Sequence, residues 1–313
     1  MDQFIVSLMN GIVYGLLLFM VSAGLTLIFG MMGVLNFAHA SFYMLGAYFA
    51  YTLQGVIGFW PAVAAAPILV GLVGVAVERF FLRRVHHHGH AHELLLTFGL
   101  SFIIAESIKL FYGNFPVDYR IPAALDVPAF SVGGAQYPAY RLLMGGIAIA
   151  MFAAIYLLLT RTRVGIVVRS AIYKPRMAEA LGHNVPLVFM GVFGVGAALA
   201  GLAGAVAGAF YTTNPNMALE LGVMVFVVVV VGGLGSLGGA MLASLLIGLV
   251  TSLAVSVDRS LADLFALFGA GDWARGVGGL LTLKVSSLSA TLPFALMLLI
   301  LLVRPSGLMG EKG

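Results

Sequence analysis

Residues 83–93 read RRVHHHGHAHE and place five of the chain's seven histidines within seven positions. Neutral imidazoles are common ligands for zinc, copper and nickel, so the first chemistry to weigh is a metal site. The chain has no cysteine, which removes thiolate ligands, disulfides and cysteine nucleophiles. No H-E-x-x-H spacing occurs, and Glu93 is the one carboxylate at hand to orient the imidazoles. The expected reading is a solvated polar turn at 86–92, with adventitious divalent-metal binding and a regulatory metal or pH sensor as the alternatives.

A second pattern mimics a nucleotide site. Gly233, Gly235 and Gly238 stand in G-x-G-x-x-G spacing after a β-branched run, and Asp258 follows twenty residues later. A dinucleotide fold needs a soluble parallel sheet built from several βαβ units, whereas both flanks here are continuous apolar runs. Glycines that interrupt an intramembrane helix explain the same residues. No phosphate loop of the form G-x-x-x-x-G-K-[ST] is present, so any ATP that powers this protein must be bound by another subunit. There is also no paired carboxylate and no Ser and His arrangement within plausible reach. The sequence points to no enzyme, no cofactor, no metal centre and no nucleic-acid partner.

The elements that would position these residues lie in a bilayer. Of 313 residues, 61% are hydrophobic and 9% charged, and the mean hydropathy is +1.08. That composition belongs to a polytopic membrane protein with an all-α helix bundle. A bilayer core takes about 20 apolar residues per helix. Runs at 4–29, 37–54, 60–82, 93–113, 140–160, 187–211, 218–232, 238–257 and 290–303 approach that length. The first is too long for a signal-peptide core. The last is short, and the pieces meeting at 30–36 and 232–239 read as broken or re-entrant, so eight to ten crossings are expected. A single transmembrane domain over 1–313 is expected.

Orientation follows from Lys and Arg, which stay cytoplasmic in short loops. Arg79, Arg83 and Arg84 mark one inner loop, and Arg161, Arg163, Arg169, Lys174 and Arg176 a second at 161–186. The segment 114–139 carries four prolines and only Arg120, and reads as periplasmic, as does 258–289 with Trp273. Nine crossings then put the N-terminus outside and the C-terminus, with Arg304 and Lys312, inside.

Within the spans, Gly196, Ala200, Gly204 and Gly208 fall four apart and make one smooth helix face, which places that helix in the bundle core. A shift of 202 residues superposes Gly30 on Gly232, Gly33 on Gly235, Leu35 on Leu237, Ala38 on Ala240 and Gly46 on Gly248. An internal repeat is one reading of that echo and chance in a Gly-rich chain the other. Asn36, His39 and Ser41 interrupt the second run, either to satisfy backbone at a helix break or to line a substrate path. Glu106 and Lys109, spaced i, i+3, can pair on one helix face as a structural feature.

In the loop RTRVGIVVRSAIYKPRMAEALGHNVP, Pro175 suits a first helical position and Gly182 a C′ stop, which predicts a two-turn helix over 175–181. Lys174 is a poor N-cap. A helix so short, with Met177, Ala178 and Leu181 available among basic residues, gains stability by inserting into a cytoplasmic partner; a solvated positive loop is the plainer alternative.

Several stretches in one order, NGIVYGLLLFMVSAGLTLIFGMMGVLNFAHASFYMLGAY, RTRVGIVVRSA, MAEALGHN, GAALAGLAGAVAGAFY, VVGGLGSLGGAM and VRPSGLMG, resemble the membrane permease subunits of bacterial branched-chain amino acid ABC importers, LivH type. The chain departs from that pattern at Gly238, His183 and Lys174. The resemblance implies a permease half of an ATP-driven importer in the bacterial inner membrane. It implies an ATPase-coupling element with Arg163, Gly165, Arg169, Ala178, Leu181 and Gly182 on the matching positions. Its expected partners are a second permease of LivM type or a second copy of the chain, two ATPases of LivG and LivF type, and a periplasmic solute-binding protein. Branched-chain amino acids are the expected cargo, with urea, amides or aromatic acids carried by related permeases. An ion-coupled secondary transporter is the competing class.

Overall fold

A computed structural model describes residues 2–132, 134–257, 259–266 and 269–310. Asp258 and Lys312, used above as sequence markers, lie outside the described residues. The nine apolar runs are all helical. They are α1 (Asp2–Met32), α2 (His39–Ile57), α3 (Phe59–Val77), α4 (His90–Tyr112), α5 (Ala139–Arg161), α8 (Val185–Ala207), α9 (Met217–Gly232), α10 (Leu237–Ser256) and α13 (Leu292–Val303). Between them lie the short helices α6 (Arg163–Tyr173), α7 (Pro175–Ala180), α11 (Leu261–Ala266) and α12 (Gly271–Val277). Among the described residues, six helices are long and apolar enough to cross a membrane by length and composition: those at α1, α3, α4, α5, α8 and α10. At ~1.5 Å per residue the 12 residues of α13 reach only ~18 Å. Since backbone in lipid has no water to bond, a helix is the economical state for each run.

The helix α8 is central, as its small-residue face requires. A Cβ on Gly196 would strike Ile28 and the Gly24 carbonyl of α1, one on Gly201 would strike Val70 of α3, and one on Gly204 would strike the Tyr43 carbonyl of α2. Helices pack this closely in lipid where at least one of them contributes no side chain, because close dispersion contacts have to replace a hydrophobic driving force. Around α8 the core holds Phe19, Phe42, Tyr43, Tyr48, Tyr140 and Phe193.

The chain's contacts define two ends. At one end Arg83 Nη2 donates to the Pro186 carbonyl at 2.9 Å, Gly33 lies beside the His90 ring, and Leu308 N and Met309 N donate to Val231 O and Gly232 O at 2.8 and 3.0 Å. At the other, Val117 bridges Thr213, Ser252 Oγ donates to Ser7 O at 2.7 Å, and Arg141 donates to Asn10. Two features depart from the sequence expectation. The segment 114–139 contains an antiparallel hairpin, Pro128–Val132 with Ala135–Pro138. The inner loop holds the eleven-residue α6, whose Thr162 N-cap accepts from Gly165 N at 3.2 Å. The hairpin is held by cross-strand bonds and leaves no span-scale hydropathy signal, whereas α6 follows from an amphipathic sequence with a Thr162 cap.

Candidate functional site

Helix α1 stops at Met32 and α2 begins at His39, and between them Gly33 N still bonds Phe29 O and Ala38 O already accepts from Phe42 N, so the helical ladder is interrupted over 34–37. Their backbone is satisfied piecemeal. Asn36 Oδ1 accepts from Ala38 N at 3.0 Å, and Thr97 Oγ1 of α4 accepts from Phe37 N at 3.2 Å. His39 Nε2 lies 2.8 Å from the Val21 carbonyl of α1; a carbonyl only accepts, so the imidazole proton sits on Nε2. Asn36, His39 and Ser41 are all buried. Asn36 thus bonds backbone within the break, while His39 ties the start of α2 to the middle of α1.

The same three residues line a cavity of about 320 Å³. Its walls come from the N-terminal turn of α2, one face of α4 (Phe98, Ser101, Phe102, Ala105, Glu106, Lys109) and the facing side of α9 from Asn216 to Phe226. Phe37 makes an edge contact with Phe98, centroids 6.3 Å apart, and stacks on Phe226 at 6.4 Å. Those rings stand at one end of the lining; Lys109, Pro215 and Asn216 stand at the other, beside the 114–139 segment. Asn36 Nδ2 and His39 Nδ1 are buried without a hydrogen-bond partner, an arrangement that native interiors rarely leave unexplained. Apolar walls with a few polar groups are the usual composition of a small-molecule site. The α9 wall and the phenylalanines were invisible in the sequence as anything but apolar span. The one available signal was that Phe98, Ser101, Phe102, Ala105 and Lys109 recur at helical spacing with polar members among them.

The histidine cluster proves to be split. The α3 helix continues through a π-turn, Glu78–Leu82, and a 3₁₀ turn, His86–His88, before α4 begins at His90. Glu93 is buried, and His86 Nδ1 and His90 Nδ1 lie 2.5 and 3.2 Å from its two carboxylate oxygens. All five histidines of the cluster are exposed, and His86 and His90 differ from His87, His88 and His92 in reaching back to Glu93. Among the described residues no group of three or more His, Asp or Glu side chains is placed to hold a metal ion.

In the 161–186 loop the expected coupling residues separate into two sets. Arg163 and Leu181 are exposed, with Val164, Ile166 and Met177 exposed beside them. Gly165, Arg169 and Ala178 turn inward. A side chain at Gly165 would strike the Leu158 and Leu159 carbonyls, Arg169 Nη1 donates to Leu159 O at 2.6 Å, and Ala178 is buried against Ala171 and Val185. The helix α7 ends as its sequence demands: Gly182 has φ +87°, its N–H reaches Glu179 O, and His183 N reaches Ala178 O, the two bonds of a Schellman stop. Lys174, at its N-terminus, makes no side-chain cap.

With this geometry in hand, comparison with known proteins places the chain in context. The sequence pattern of the family described as branched-chain amino acid transport system, permease component, matches residues 7–301. The high-affinity branched-chain amino acid transport system permease protein BraD of Pseudomonas aeruginosa is 27% identical, over 99% of this chain and 96% of that protein. LivH of Salmonella typhimurium, a permease protein of the same system, is 26% identical over 98% and 96%. A probable branched-chain amino acid transport permease, LivH of Methanocaldococcus jannaschii, is 27% identical over 96% and 91%. No solved structure matches.

Proposed function

This chain belongs to the permease component family of branched-chain amino acid transport systems, and from that premise we propose that its cavity is the stretch of a solute path contributed by one permease subunit. The family is the membrane component of ATP-binding-cassette importers, so the chain is a multi-pass transport subunit of the bacterial inner membrane and not an enzyme. Such importers work with ATPase and solute-binding partners. The finer assignment is our reading: a second permease of LivM type or a second copy, ATPases of LivG and LivF type, and a periplasmic binding protein that hands over a branched-chain amino acid.

The single observation that carries the path reading is the cavity joining the polar break at Asn36, His39 and Ser41 to the end marked by Lys109 and Asn216. Orientation follows from charge. Arg79, Arg83, Arg84, Arg161, Arg163, Arg169, Lys174, Arg176 and Arg304 belong to the opposite end, which we place in the cytoplasm, with the N-terminus and the segments 114–139 and 258–289 outside. The cavity then reaches toward the binding protein and stops at the Phe37, Phe98 and Phe226 rings. Closure of the ATPases, felt through the 161–186 loop, would move the helices that hold those rings and change which side is open.

The test is uptake of labelled leucine in cells carrying the complete importer, with and without the ATPase subunits. ATP-dependent uptake that Ala105→Trp abolishes without loss of complex assembly is expected, since Ala105 lines the cavity. Uptake driven by an ion gradient with this chain alone would overturn the importer reading, and full uptake by the tryptophan variant would overturn the path.

A further inference from the structure

Glu106 and Lys109 are an ion pair on the wall of an otherwise mainly apolar cavity. Lys109 Nζ lies 2.6 Å from Glu106 Oε1, and the side chains are 32% and 65% exposed. They sit on a 23-residue helix whose remaining exposed positions include Leu95, Phe98, Phe102, Ile103, Leu110 and Phe111. Among the described residues, the bond of each charged group is to the other, within α4. An exposed i, i+3 pair adds little to stability, and this one lies in the last two turns of α4, on the lining of the cavity toward its Asn216 end.

What the pair can do follows from its shape. An α-amino acid carries an ammonium and a carboxylate on one carbon, a charge pair of similar size to the Lys109–Glu106 contact. Laid antiparallel on it, the ammonium meets Glu106 and the carboxylate meets Lys109, and each charge keeps a neighbour of opposite sign as it leaves water. Below the head, Phe102, Leu219, Val223 and Phe226 offer an apolar wall to an aliphatic side chain. We propose that Glu106 and Lys109 recognise the zwitterionic head of an α-amino acid inside the permease, so that the membrane subunit applies a second selection after the binding protein. This rests on the cavity being part of the solute path. Urea and amides lack the charges, and an acidic or basic side chain would leave an extra charge against the phenylalanines.

The natural absence of cysteine makes a direct test available. Ser101→Cys places one thiol on the cavity wall, and its labelling by a methanethiosulfonate reagent in the reconstituted importer without binding protein can be followed by mass spectrometry of this chain. Leucine at about ten times its dissociation constant is expected to slow labelling about tenfold. Leucinamide, which has only the ammonium, and 4-methylpentanoate, which has only the carboxylate, are expected to protect far less, and urea not at all. Adding Glu106→Gln with Lys109→Met should erase leucine protection while the ATPase subunits still co-purify. Equal protection by leucine and 4-methylpentanoate, or undiminished leucine protection in the neutral-pair variant, overturns the pair's role and leaves the path standing. No leucine protection in either background overturns the path reading and this inference with it. Should the neutral-pair variant fail to assemble, the ligand series on the unaltered pair decides alone.

Discussion

Gly30 and Gly235, 205 positions apart in sequence, meet backbone to backbone: a Cβ built on Gly235 would lie 2.7 Å from the Gly30 Cα, and one built on Gly30 would lie 2.9 Å from the Gly235 Cα. Gly30 lies in the last turn of α1, two residues before its end at Met32, and Gly235 lies inside the break between α9 and α10. The two interrupted helices that echo each other at a 202-residue shift are therefore in contact where each is interrupted. The glycine pattern that imitates a nucleotide loop is a close-packing device.

Gly235→Val is expected to be the more damaging of the two substitutions. It overfills the contact, at about 1–3 kcal/mol, and also forces a β-branched residue to φ +84°. Gly30→Ala meets the same contact from a helical backbone. Thermal unfolding followed by fluorescent size-exclusion chromatography should rank Gly235→Val below Gly30→Ala and both below the natural chain; equal stability of all three would mean the close approach is not maintained.

The histidines are expected to divide by partner. Replacing His87, His88 and His92 together with serine should leave stability and uptake unchanged, because the bonds to Glu93 come from His86 and His90. Replacing His86 and His90 removes the groups that hold buried Glu93 and should cost about 1–3 kcal/mol, with Glu93→Gln in the same background recovering part of the loss. Thermal midpoints of the solubilised protein read the difference, and an equal effect of the two histidine sets would contradict the placement of Glu93.

Docking at the 161–186 loop should depend on the exposed set. Leu181→Asp and Met177→Asp are each expected to weaken co-purification of the ATPase subunits about tenfold, equivalent to about 1.4 kcal/mol. Arg163→Glu with Arg169→Glu should weaken it while membrane insertion is retained, with the second change acting through loss of the Leu159 contact. Ala178→Asp should lower the stability of α7 itself, seen as faster proteolysis of the loop in the isolated permease. Retained pull-down with all of these would sink the coupling assignment.

In the 259–289 segment, Asp263 accepts from Ser260 N at 2.9 Å, from Ser260 Oγ at 3.0 Å and from Arg275 at 3.2 Å, which holds its carboxyl below the usual carboxylate range. Ser260 and Asp263 form the reciprocal cap that starts α11. A depressed folded pKa stabilises above the unfolded value of about 3.9, and the contribution fades as pH falls through the lower folded value. Hydrogen exchange at the Ser260 amide should accelerate in that acidic window, and Asp263→Asn should remove the pH dependence. A pH-independent exchange rate in the natural chain would contradict the cap.

Much of this molecule is legible from local sequence. Each apolar run forms a helix because its backbone bonds close within the segment, and α7 stops where Gly182 supplies the left-handed turn. The helix breaks at 33–38 and 233–236 were likewise announced by glycine and polar residues within the runs.

What local sequence left undecided is which faces meet. Hydropathy says only that α4 and α9 are apolar; in lipid no hydrophobic force selects a neighbour, so pairing is set by how closely surfaces fit. Gly196, Gly201 and Gly204 draw α1, α3 and α2 onto α8, and that packing leaves α4 and α9 standing apart around a cavity. Glu106, Asn36 and Phe226 come from three separate runs and share no sequence signal. Glu93 likewise stands beside a row of five histidines, and only the helical turn from α3 into α4 decides that His86 and His90 hold it. The spans follow from bonds each segment makes with itself, and the cavity follows from shape complementarity between segments far apart in the chain.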